Sequence, residues 1–379
     1  MFTSDESIFC PLPFAHTAIS TTGEYQICCQ HKTPPQHKIN INQHPISEWY
    51  KSAYLIEIKN SFLQNHKHDG CKSCWDQEKN NYASYRQRIL QEYKILKADK
   101  NTDKLITVEI QLGNLCNLTC LMCNENSSSA ILSENIKLGI NKVKQKDFTW
   151  NDISFDYLYE ILLSGPKIVN IRGGEPLYNK KLLKLIEDLP KEICSTIILH
   201  ITTNATVWDQ RWTDAIKKFR LVRFMFSVDA VGELYEYMRF PGKWETTDTN
   251  IKEIMKLKNV KPLVHCVIQN LNIGNLFELI NWCLKKNIYL ECENLVKPKY
   301  LEITNLPTDL KKQAIEQITK YLNQSLPIHL HNFFVNCQLQ LNNSMDTFDQ
   351  DKWNDFLAYV NPRDQIRNNS HKNFLKYDS

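Results

Sequence analysis

The chain of 379 residues is 42% hydrophobic and 23% charged, which excludes a disordered chain and a small disulfide-stapled scaffold. Its 46 basic against 42 acidic residues leave a formal charge of +4, too weak to mark a nucleic-acid partner. No apolar run approaches the ~20 residues of a membrane span, and the start Met-Phe-Thr-Ser-Asp-Glu lacks the basic-then-apolar pattern of a secretory signal, so a cytoplasmic protein without membrane partners is expected.

Thirteen cysteines are unlike disulfide partners in a reducing compartment, and their spacing is read as metal chemistry. Residues 1–100 hold Cys10, a glycine turn at Gly23 between His16–Ser20 and Tyr25–Cys28, and the pair Cys71 and Cys74. Helices are predicted over Ile46–Asn65 and from Trp75 toward Asn101, with a polar linker at Lys97–Lys104. Residues 101–300 alternate β-rich runs with helical segments, the signature of βαβ units on a parallel sheet. The strands are predicted at Ile106–Gln111, Lys167–Ile171, Thr196–Thr202, Leu221–Val228, Leu263–Gln269 and Ile288–Asn294. Six such strands make a partial (β/α) barrel of the α/β class. Residues 301–379 read as a helical C-terminal region. Cys194, Cys266, Cys283, Cys292 and Cys337 sit in apolar runs and are read as small buried hydrophobes.

Directly after the first barrel strand stands Gly113-Asn-Leu-Cys116-Asn-Leu-Thr-Cys120-Leu-Met-Cys123. A tetrahedral zinc site wants four nitrogen or sulfur ligands, usually from two separated pairs. Three thiolates on one tight loop suit a [4Fe–4S] cube that keeps its fourth iron open; a zinc loop borrowing a distant ligand is the alternative. Later strand ends carry Gly173-Gly174-Glu175-Pro176, Thr203-Asn204-Ala205 and Ser227-Val-Asp229-Ala230.

In that order these motifs resemble the radical SAM enzymes, over roughly residues 105–300. The resemblance implies that Cys116, Cys120 and Cys123 bind the cluster and that S-adenosylmethionine (SAM) chelates the open iron. Gly173 and Gly174 would let backbone approach SAM, whose ammonium Glu175 would accept. Asn204, Ser227 and Asp229 would line the SAM side of the lumen. Arg239 would meet the methionine carboxylate, Val267 and Ile268 would form an apolar adenine platform, and Met122 would add an apolar contact on the adenine side. Ala205 departs from the family's usual glycine and puts the local turn in question. The chemistry implied is reductive cleavage of SAM to a 5′-deoxyadenosyl radical that abstracts hydrogen from the substrate, the cofactor carrying the hard step. A flavodoxin or ferredoxin would donate the electron.

Because side chains alternate across a strand, one inward residue fixes its neighbours. Taking Ser227 and Asp229 as inward turns Glu109, Gln111, Asn170, Arg172, His200, Thr202, His265, Gln269, Glu291 and Glu293 inward as well. An ordinary eight-stranded barrel fills its interior with branched apolar side chains. A polar lumen is costly unless its groups find partners, so it suits SAM plus a polar substrate, or else an internal ion-pair network. Glu291, Glu293, His265 and Arg172 are the candidate substrate residues, with a carboxylate placed to take a proton.

Phe9-Cys10-Pro, Gly23 five residues before Cys28, and Cys71-Lys-Ser-Cys74-Trp75 resemble the SPASM/Twitch auxiliary-cluster module, set here before the barrel rather than after it. The resemblance implies a second, fully coordinated auxiliary [4Fe–4S] cluster on Cys10, Cys28, Cys71 and Cys74, with Cys28 preferred over Cys29. Two cysteine pairs also describe a structural zinc site, and that alternative stays open. The function expected is a radical SAM oxidoreductase that oxidises or epimerises a small polar molecule. The alternatives are a peptide-modifying enzyme of the RiPP-maturase kind and a non-catalytic iron–sulfur protein that only binds a partner.

Overall fold

The computed structural model describes residues 8–95, 104–140 and 148–375; apart from Lys104, the linker expected at Lys97–Lys104 lies outside them. Among the described residues eight strands form one sheet in the order β2-β1-β3-β4-β5-β6-β7-β8, in keeping with the α/β partial-barrel expectation. They are β1 (His16–Ile19), β2 (Tyr25–Gln26), β3 (Thr107–Gln111), β4 (Ile168–Arg172), β5 (Ile198–Thr203), β6 (Leu221–Ser227), β7 (Val260–Ile268) and β8 (Tyr289–Asn294). Each of the six predicted barrel strands is present with its ends moved by a few residues. Among the described residues no helix is long and apolar enough to cross a membrane.

The chain divides into two compact units, residues 1–116, 143–202 and 209–223 in the first and the remainder in the second. In the first unit the hairpin at Gly23 (φ +83°) forms the antiparallel pair β1–β2. β1 then pairs in parallel with β3, and β3 with β4 and β4 with β5, so the N-terminal hairpin extends the barrel sheet. The predicted helix over Ile46–Asn65 is two helices, Ile46–Lys51 and Ala53–Leu63. Ser52 takes extended backbone between them, and its hydroxyl accepts from the Leu55 N–H, an N-cap that restarts the helix. The helix predicted from Trp75 is likewise broken into Lys72–Lys79 and Tyr85–Ile95, with Asn81 at φ +60° between them. Trp49, Tyr25, Val108 and Ile110 have no exposed surface and form this unit's core.

In the second unit β7 and β8 run parallel with His265 opposite Glu291 and Val267 opposite Glu293. Phe224 and Phe226 of β6 stack at 5.6 Å and are fully buried, as parity predicts for the helix-facing side. Three long helices follow, Thr308–Leu322, Ile328–Asn343 and Gln350–Arg367.

Candidate functional site

The first unit supplies the glycine–glutamate turn. Gly173 (φ +92°) and Gly174 (φ +52°) occupy backbone space that L side chains avoid. A Cβ at Gly174 would stand 2.3 Å from the Leu115 carbonyl oxygen, and one at Gly173 2.9 Å from the Gln111 and Leu112 backbone. The turn therefore lies flat on the segment leading into Cys116, and the Glu175 N–H donates to that same Leu115 oxygen at 2.8 Å. Glu175 is 2% exposed and one carboxylate oxygen accepts from Leu177 N–H at 2.9 Å.

Asn117 begins the second unit's share of the cysteine loop. Thr119 N–H donates to the Phe240 carbonyl at 2.6 Å and Leu121 N–H to the Met238 carbonyl at 2.9 Å. Leu118 and Leu121 are buried, so the residues between the cysteines anchor the loop. Cys120 is buried, Cys116, Met122 and Cys123 half-buried. Tyr359 donates to the Leu121 carbonyl at 3.0 Å. Arg367 donates to the Thr119 carbonyl at 2.9 Å while its fork grips both oxygens of Glu134 at 2.9 and 2.8 Å. These C-terminal groups were not foreseen, because nothing local in sequence ties residue 367 to residue 119.

Asn204 follows β5 and donates to Asn117 Oδ1 at 3.1 Å, while its own oxygen accepts from Thr206 N–H at 2.9 Å. Ala205 adopts φ +56°, so the turn survives without the glycine. Its N–H is held by Thr203 Oγ1 and its carbonyl by Asn250 Nδ2, each at 2.9 Å.

Asp229 differs from the expectation of an accessible lining residue. It has no exposed surface; one oxygen lies 2.7 Å from Arg239 and the other accepts Val267 N–H at 2.8 Å. The physical reason is that a buried carboxylate keeps its charge only with a cation and donors around it. Arg239 also donates to Cys120 Sγ at 3.7 Å. Burial works against the Arg239 charge, but Asp229, then Cys120 and Tyr235, hold its pKa above the ordinary value. Ser227 is half-buried on β6. Ile268 is 1% exposed, on the face of β7 opposite His265; Val267 takes the His265 side, since neighbours on a strand point apart.

Of the substrate candidates, Arg172 is paired with Glu109 in the first unit. In the second, His265 Nε2 lies 3.2 Å from Glu293, and Glu291 and Glu293 are exposed. His200 stands 3.4 Å from Arg223, and burial pushes its pKa down to about 4, with Arg223 adding to the shift.

The N-terminal cysteines come together in the first unit. Cys10, Cys28, Cys71 and Cys74 line one apolar cavity with His31, Tyr85 and Arg86, whereas Cys29 is exposed. Burial pushes the Cys28 and Cys71 thiols up to about 12 and Cys10 well above its usual value. Thiols so placed ionise when a metal centre supplies the compensating charge.

The four thiols that line the cavity are the donor set a [4Fe–4S] cluster takes; among the described residues no three His, Cys, Asp or Glu stand together as ligands of a single metal ion. Near β7, Gln269 is fully buried and both its amide atoms lack a partner. An unpaired buried amide costs about 1–3 kcal/mol, and a ligand with a donor and an acceptor, as a purine has, removes that cost.

Residues 110–283 match the model of the Radical SAM superfamily. A protein of Methanocaldococcus jannaschii named "Probable GTP 3',8-cyclase" is 24% identical over 239 residues, covering 60% of this chain and 73% of that protein. The solved structure "Native anSMEcpe with bound AdoMet" is 17% identical with a TM-score of 0.41, covering 57% of this chain and 60% of that one. "Crystal structure of Streptococcus suis SuiB bound to S-adenosylmethionine" is 17% identical with a TM-score of 0.38, covering 73% and 60%. Residues 110–283 form a domain of the Radical SAM superfamily, and the chain is an enzyme of the radical SAM type.

Proposed function

We propose that this enzyme uses SAM to oxidise or epimerise a small polar substrate, and that Cys10, Cys28, Cys71 and Cys74 would hold an auxiliary [4Fe–4S] cluster, which in the oxidation would supply an acceptor for the substrate radical's electron. The observation that carries this reading lies within the first unit. Cys10, Cys28, Cys71 and Cys74 line one apolar cavity, and the sheet of the same unit carries the Glu109–Arg172 ion pair on β3 and β4.

When bound, the first cluster and SAM supply the hydrogen-abstracting radical chemistry. The chain's residues do the rest. Cys116, Cys120 and Cys123 hold the cluster. The Asp229–Arg239 pair fixes a cation beside the Cys120 sulfur. Glu175 accepts the SAM ammonium, with Gly173 and Gly174 allowing close approach; Asn204, Ser227 and Met122 complete the SAM side, and Gln269 answers the purine. Arg172 orients a polar substrate, and Glu291 or Glu293, with His265 beside Glu293, accepts a proton. A flavodoxin or ferredoxin supplies the electron.

The relatives named GTP 3',8-cyclase act, by that name, on a small polar molecule, which favours this class of substrate over a peptide. The test is anaerobic reconstitution with SAM, a reductant and either candidate small polar metabolites or peptides. Substrate-dependent 5′-deoxyadenosine with a small molecule supports the reading, and turnover of peptides alone refutes it.

A further inference from the structure

His31 lines the four-cysteine cavity and has no part in the proposed chemistry. It is 4% exposed. Its Nδ1 lies 3.7 Å from the Cys71 sulfur, and its Nε2 lies 2.9 Å from the Tyr54 hydroxyl. Both ring nitrogens thus face a partner. Gly70, immediately before Cys71, gives the ring room, since a Cβ there would stand 2.3 Å from His31 Cε1. Tyr54 in turn is stacked at 4.6 Å on His37.

The proton positions follow from what each partner can do. A cysteine that ligates a cluster is a thiolate and can only accept a hydrogen bond. Nδ1 must then carry the hydrogen and donate to Cys71. In a neutral imidazole the other nitrogen is an acceptor, and the Tyr54 O–H donates to it. Tyr54 keeps its proton because burial pushes its pKa up to about 12.

We propose that His31 is a positioning residue that donates a hydrogen bond to the Cys71 sulfur, oriented by Tyr54, and thereby raises the reduction potential of the auxiliary cluster. Hydrogen bonds to cluster sulfurs are among the levers that set such potentials. A donor at the sulfur stabilises the reduced, more negative cluster over the oxidised one, which suits a centre that accepts an electron. This inference rests on reading the cavity as an auxiliary cluster site.

The test uses the full chain carrying Cys116→Ala, Cys120→Ala and Cys123→Ala together, so that only the auxiliary centre contributes. Iron, sulfide and Mössbauer spectra are measured first, then the midpoint potential by anaerobic titration followed by EPR. His31→Leu and Tyr54→Phe should each lower the midpoint potential, His31→Leu by more. His31→Gln, whose amide N–H can still donate, should stay nearer the parent value. A normal [4Fe–4S] spectrum with potentials unchanged in both His31→Leu and Tyr54→Phe overturns the role of His31 while leaving the cluster reading intact. Zinc in place of iron in the parent overturns the cluster reading and this inference with it.

Discussion

Asp229→Ala should cost far more stability than a lining residue could. Asp229 is fully buried and Arg239 is 6% exposed, with 2.7 Å between carboxylate and guanidinium. Removing one partner of a buried ion pair costs about 3–5 kcal/mol, because the other charge is left uncompensated. The Val267 N–H, now bonded to Asp229 at 2.8 Å, would also lose its acceptor, worth about 1–3 kcal/mol. Both losses come from one carboxylate and are not additive, so about 4 kcal/mol in total is expected. The assay is anaerobic urea unfolding followed by circular dichroism, with the midpoint and the slope both read. Asp229→Asn, which can keep the acceptor for Val267, should lose less. The double variant Asp229→Leu/Arg239→Met, which removes both charges, should recover much of the loss. Ser227→Ala, at a half-buried position of the same strand, should stay within about 0.5 kcal/mol. A loss below about 1 kcal/mol in Asp229→Ala, at unchanged slope, would refute the argument from the buried pair.

Arg367→Met leaves Glu134 with Arg363 alone, whose Nε lies 3.1 Å from it, so it should lose less than the about 3–5 kcal/mol of a stranded buried charge yet lower the iron bound per chain, since Arg367 also holds the Thr119 carbonyl; wild-type iron and stability would count against the clamp. Gly174→Ala should cost more than about 2 kcal/mol from the left-handed backbone and the clash with Leu115, read as a lowered unfolding midpoint. Ala205→Gly should raise stability by up to about 1 kcal/mol, because it relieves a non-glycine residue at positive φ; a lowered midpoint would show the turn is unstrained. His16 is buried, and desolvation pushes its pKa from 6.5 down to about 4. The unfolded chain then binds the extra proton, so this stability is present above pH 6.5 and is lost as pH falls toward about 4, up to about 3 kcal/mol. His16→Gln should flatten that acid limb, and an unchanged limb would assign the acid sensitivity to other groups.

The parts of the fold that follow a local repeat were legible in sequence, and those that depend on distant partners were not. The alternation in Leu221–Ser227 and Ile198–Thr203 marked both the strands and their buried faces, because the burial follows the two-residue period. The helix over Ile46–Asn65 kept its apolar face across Ser52, so periodicity could not reveal the break that the serine cap makes. The parallel pairing of His16 with Thr107 spans too much chain to leave any local signal. At the site, cysteine spacing and the strand-end motifs singled out the loop, the glycine turn and Glu175. Parity could say which way Asp229 points, but not that Arg239 lies against its carboxylate. Parity also favours Val267 over Ile268 on the His265 side of β7. His31 stands three residues after Cys28, a spacing that offered a hint of its place in the cavity.

The most direct test of the central claim is the cleavage of SAM by the anaerobically reconstituted full chain given a one-electron reductant. The account predicts 5′-deoxyadenosine and methionine from the wild-type protein and neither above background from Cys120→Ala. A wild-type protein that carries its [4Fe–4S] cluster yet leaves SAM intact, or a Cys120→Ala variant that cleaves SAM at near wild-type rate, would contradict it.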